Sequence, residues 1–129
     1  MGRIITPVEL QNFLKPEHKL KIRAFVDTAA GYLTLPLAWK EKLGELRSVG
    51  EVTTQFADQR EGTAEVFGAV LLKIPGFREI ITEVLFLEMH PDEDGNYEPL
   101  LGYIPLEQAN AAVDMQNHKL IPIKYVDLK

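Results

Sequence analysis

The 129-residue chain contains no cysteine. A disulfide framework, a thiolate metal site and a cysteine nucleophile are therefore excluded, and the composition fits a reducing compartment. Long apolar runs are missing too: none approaches the roughly 20 residues needed to cross a bilayer. The opening MGRIITPVEL has no apolar segment of signal-peptide length. These absences predict a soluble cytoplasmic protein without a membrane partner. Positive charge is in deficit, with 14 Lys and Arg against 19 Asp and Glu and a formal net charge of -5, so no nucleic-acid partner is expected. The one basic stretch, KPEHKLKIR, reads as a solvated loop running into a strand. Only three histidines occur, His18, His90 and His118, and their scatter has no metal-ligand spacing. Gly-x-Ser-x-Gly and a phosphate-cradling glycine loop are also missing. Neither a metal nor a cofactor is expected.

What is present suits a single domain over 1–129, with 46% hydrophobic residues for a core. RIITPVEL, KIRAFVD, EVTTQFAD, AEVFGAVLLKI and EIITEVLFLEM are short apolar or alternating runs rich in β-formers, and each predicts a strand. DQREG, ending at Gly62, predicts a hairpin turn between the third and fourth of these. PGF is a further turn, and HKLIPIKYVDLK predicts a terminal strand or two. Helices are expected only over PLAWKEKLGEL, with Pro36 as its first residue and Gly44 near its end, and over PLEQANAAVDM, opening at Pro105. Trp39, four residues from both Leu35 and Leu43, is read as core. In HPDEDGNYE, Asp92, Asp94 and Gly95 match the start of a calcium loop. The Glu required six residues after the glycine is Leu101 instead, so a surface turn at Asp94–Gly95 is expected.

Two segments share an order of parts: FVDTAAGYLTLPLAWKEKLG and PLLGYIPLEQANAAVD. Each is an apolar strand, a tight small-residue turn and an apolar-Pro-Leu helix opening. This weak internal repeat suggests two related halves. Only the first carries an acid in its turn, Asp27. Taken alone, Asp27 is an ordinary turn aspartate.

Taken together, the two segments resemble the two signatures of the retroviral-type (retropepsin-like) aspartic proteases, and single-domain bacterial and archaeal members most of all. FVDTAAGYLTLP is similar to the active-site segment of that family, and PLLGYIPLEQANAAVD to its later glycine turn and C-terminal helix. The resemblance runs from about Ile4 to Ile123 and includes the order of strands, turn, hairpin and helix. It implies a mostly-β fold: a closed six-stranded type of barrel with one or two short helices, forming half of a two-fold dimer. It also implies an aspartic endopeptidase. Asp27 would be the catalytic residue, within a turn of Thr28, Ala29 and Ala30. Gly31 and the hairpin tip Ala57, Asp58, Gln59, Arg60, Glu61 and Gly62 would contact substrate as a flap. Leu100, Leu101 and Gly102 would form the structural glycine turn.

The chemistry accounts for these residue types. Two carboxylates about 3 Å apart share one proton, so one can act as base on water and the other as acid toward the peptide carbonyl. One chain supplies one such motif, so the second aspartate must come from a second copy across a two-fold axis. The implied partners are a homodimer mate and a peptide or protein substrate. Two positions depart from the family: Ala29 where it has glycine, and Gly31 where retroviral members carry an acid that binds substrate backbone. They raise an alternative, a catalytically inactive domain of the same fold serving dimerisation or peptide binding. A monomeric β domain of unrelated purpose is a third reading.

Overall fold

Alternation of apolar and polar residues at period two dictates most of the structure. The computed structural model describes residues 3–55 and 59–123. In β1 (Ile5–Asn12) the inward side chains include Val8, Leu10 and Asn12; in β2 (Lys19–Val26) they are Leu20, Ile22, Ala24 and Val26. The outward positions between them carry the charges. The remaining strands of the main sheet are β3 (Leu33–Pro36), β4 (Arg47–Gln55), β5 (Glu61–Lys73), β6 (Ile80–Leu87) and the two-residue β7 (Leu100–Leu101). Their order is β1-β2-β7-β3-β6-β5-β4, and β1 pairs again with β5, from Glu9 opposite Lys73 to Asn12 opposite Val70. The pairing of six strands therefore returns to its starting point and surrounds a core of Leu10, Leu33, Leu35, Leu43, Leu72, Val84 and Leu101. A separate antiparallel pair, β8 (Ala111–Asp114) and β9 (Lys119–Pro122), follows. The mostly-β expectation is met, and no helix among the described residues is long and apolar enough to cross a membrane.

Both helical segments differ in detail from expectation. Leu37–Leu43 is a 3₁₀ helix, and Pro36 is not its first residue but the last of β3, with an extended ψ of 138°. Gly44 ends it at φ 69°, where its N–H donates to the Glu41 carbonyl at 3.0 Å. A Cβ at Gly44 would also stand 2.6 Å from the His18 ring, so glycine is required there twice over. The second helix, α1, spans Tyr103–Gln108 and begins two residues before Pro105. Ala111–Asp114, expected to continue it, is strand β8. The left-handed φ of 55° at Asn110 stops the helix, and the next four residues satisfy their backbone by pairing with β9. The internal repeat is thus partial. Both copies give a strand and a turn, but the first inserts β3 before its helix.

Loop ends are closed by local side-chain bonds. Asp92 Oδ1 accepts from the N–H groups of Asp94 and Asn96, both at 2.9 Å, and Gly95 sits at φ 81°, the surface turn expected of HPDEDGNYE. Asp114 does the same for the turn into β9. Its carboxyl is held below the ordinary aspartate range by the Asn117 side chain first and then by backbone N–H groups. Those bonds favour the ionised form, so their contribution is present above the ordinary carboxylate pKa and is lost as pH falls through the lowered one.

Asn12 is the buried polar residue that the strand pattern does not explain. Its Nδ2 donates to the carbonyls of Leu43 (2.7 Å) and Glu45 (2.9 Å), and its Oδ1 accepts from the N–H groups of Leu14 and Lys15, both at 3.1 Å. One side chain thus satisfies four backbone groups where β1 ends and the 3₁₀ helix exits, the bond to Leu43 fully buried and the other three partly so. Asn12→Ala should lower stability by about 3 kcal/mol, since it leaves several of these groups unpaired. Urea unfolding followed by far-UV circular dichroism measures this.

Candidate active site

Strand β7 is only two residues long, yet it lies between β2 and β3. It runs parallel to β2, with Phe25 opposite Leu100 and Val26 opposite Leu101, and antiparallel to β3, with Leu33 opposite Leu101. Residues 27–32, which join β2 to β3, therefore form a loop crossed by another strand. Phe25 N–H donates to the Pro99 carbonyl at 2.8 Å, and Asp27 N–H to the Leu101 carbonyl at 3.0 Å. Tyr103 and Ile104 then donate to the carbonyls of Ala30 and Gly31, both at 2.9 Å. The second segment of the internal repeat thus grips the first from end to end.

Within the loop, Ala30 N–H donates to the Asp27 carbonyl at 3.1 Å and closes a turn over Thr28 and Ala29. The Asp27 carboxylate is half-buried. Its Oδ1 accepts from Ala29 N–H at 3.0 Å, which fixes the side chain over its own turn and leaves Oδ2 free of protein partners among the described residues. Thr28 and Ala29 are exposed, and the Thr28 hydroxyl has no hydrogen-bond partner among the described residues. Ala29 does not adopt a left-handed φ; among described non-glycine residues only Gln59, Asn110 and His118 do. An alanine therefore sits in this turn without backbone strain.

The glycines of the site differ in what they require. Gly102 has an ordinary φ of -81°, but a Cβ there would lie 2.6 Å from the Gly31 carbonyl carbon and the Tyr32 carbonyl oxygen, and 2.7 Å from the Ala30 oxygen. Its lack of a side chain is what lets the two segments touch. At Gly31 a Cβ would meet only Tyr103 and Ile104 at 3.7 and 3.8 Å, ordinary contact.

Of the expected site residues, the structure brings together Asp27, Thr28, Ala29, Ala30 and Gly31 with Leu100, Leu101 and Gly102. The expected flap is the β4–β5 hairpin. Ala57 and Asp58 lie outside the described residues. Gln59 stands at φ 72°, with the Gln55 amide donating to its side chain at 3.2 Å; Arg60 is exposed, and Glu61 and Gly62 begin β5 opposite Gln55 and Thr54. The hairpin's inner residues Val52, Ala64 and Val66 pack with Leu85 and with Tyr32, which links its base to the exit of the Asp27 turn.

A cavity of about 720 Å³ opens on the side of β2 that carries Arg23 and Phe25, the strand that leads into this turn, and is lined among others by Arg3, Arg23, Phe25, Trp39 and Tyr97. Trp39 is only half core: one side packs against the buried cluster, while the ring meets Tyr97 edge-on at 5.8 Å. The cavity was not read from the sequence, although the outward alternation of Arg23 and Phe25 at period two is a signal that points to it. Among the described residues no group of three or more His, Asp or Glu is placed to hold a metal ion.

Gly102→Ala should be destabilising by about 3 kcal/mol, because three backbone atoms must move, whereas Gly31→Ala and Ala29→Gly should each change stability by less than about 1 kcal/mol. Thermal unfolding of the three variants tests the ranking. No protein-family model matches the chain, and no curated protein matches it either.

Proposed function

We propose that this chain is one half of an aspartic endopeptidase, a retropepsin-like closed barrel whose active site forms when two copies set their Asp27 turns face to face. The observation that carries the reading is the Asp27 turn itself. A carboxylate stands at the end of a strand, one oxygen is held by Ala29 N–H, the other has no partner among the described residues, and an inserted strand braces the turn from behind. A six-strand cycle of pairing around the core supports the barrel, and the β4–β5 hairpin supports a flap. The exposed Thr28 hydroxyl is free to bond the same turn of a second copy.

The residues then divide the work. The two Asp27 carboxylates share a proton; the ionised one takes a proton from water as it attacks the peptide carbonyl, and the protonated one donates to the carbonyl oxygen. The backbone bond from Ala29 and the pairing with Leu101 hold each carboxylate in place, so that little reorganisation is needed. An extended peptide would lie under the hairpin and gain affinity by backbone pairing. Ala29, which motivated the inactive alternative, is compatible with the turn because its φ is not left-handed.

Asp27→Asn should reduce peptide cleavage by about a thousandfold or more while leaving the thermal midpoint and the dimer unchanged. Wild-type specific activity should fall on dilution through the dimer dissociation constant. Equal turnover by Asp27→Asn and wild type would overturn the reading.

A further inference from the structure

We infer that the cavity lined by Arg23 and Phe25, on the strand that leads into Asp27, is a specificity pocket for an acidic side chain of the substrate, with the Arg23 guanidinium as its recognition group. The inference rests on the peptidase reading and adds the class of peptide that is cut. Val26 and Ala24 face the core, so Arg23 and Phe25 lie along the opposite side of β2, and Asp27 follows just past its end. Strand residues two apart are separated by about 6.7 Å, the same repeat as in an extended peptide. A peptide cut at Asp27 and lying along this side passes Phe25 and then Arg23.

The charges lining the cavity are unequal in what they have left to offer. Arg3 and Glu98 form an ion pair, and the Arg3 guanidinium also covers the face of Phe25 at 4.7 Å from the ring centroid. Asp92 spends Oδ1 on two N–H groups of its own turn. Arg23 has no ion-pair, hydrogen-bond or ring partner among the described residues. Arg23 is therefore the one arginine or lysine lining this cavity without a partner among the described residues, and a carboxylate is its complement. The Trp39–Tyr97 wall supplies apolar contact for the methylene groups of a glutamate.

Cleavage of a positional-scanning peptide library, with Glu, Gln or Lys fixed at each position in turn, tests this. Wild type should favour Glu over Gln by about tenfold at one position two to four residues from the cut. Arg23→Gln should erase that preference, and Arg23→Glu should turn it toward Lys, each read as the ratio of kcat/KM between peptides that differ only at that position. Arg23 is exposed, so both should fold, and a thermal scan checks that they do. No Glu preference in wild type, or one that survives Arg23→Gln, overturns the pocket. If wild type cleaves nothing, the peptidase reading fails. Binding of fluorescent Glu and Gln peptides to the same protein then decides the pocket: Glu-selective binding lost in Arg23→Gln supports it, and equal binding overturns it.

Discussion

The double pairing of Leu100 and Leu101 is the interaction on which the rest depends. Each side of this short strand bonds to a different partner, β2 on one and β3 on the other. The loop between those partners cannot spread or collapse, because the strand inside it sets its width. The position of the Asp27 carboxylate is therefore a property of residues more than seventy positions away. The barrier to rearranging it is the cost of breaking backbone pairs in the interior, where water does not replace them.

Small residues surround this crossing, and the reasons are not interchangeable. Gly102 is small because backbone passes across it, and Gly44 because of its left-handed φ and the His18 ring. Ala29 faces outward and carries a methyl group in an ordinary conformation. Gly31 has room for a side chain it lacks. A run such as Thr-Ala-Ala-Gly looks uniformly permissive as a string of letters, yet only the far side of the crossing, at Gly102, is sterically closed.

How much was legible follows from range. The long strands were readable because alternation and β-branched runs repeat over several residues in β1, β2, β5 and β6. Strand β7 was not readable as a strand, since two residues carry no period; it was found as part of a family-like segment. The start of α1 was misplaced because Pro105 suits a first turn wherever in that turn it falls. Ala111–Asp114 reads as the continuation of the helix that Pro105 opens, and pairing with β9 overrides that local signal. Asn12 reads as a turn residue at the end of a strand; its role appears only when the Leu43–Glu45 backbone is brought beside it. The cavity was hidden for the same reason, as it joins Arg3 to Glu98 across most of the chain. The φ of Ala29, which bears on whether this turn can work, has no signature in the letters at all.

The threaded strand also orders events in time. A chain made from its N-terminus presents β2 and β3 long before Leu100 exists, and these two do not pair with each other in the finished fold. Until the later segment arrives, each keeps a row of unpaired N–H and C=O groups toward the gap that β7 will fill. The early chain thus carries an open slot of fixed sequence and waiting edges, vulnerable to any extended segment that reaches it first. The last strand of the main sheet is the one that fixes the Asp27 turn, so nascent chains that stop short of Gly102 have the aspartate but not the strand that braces it.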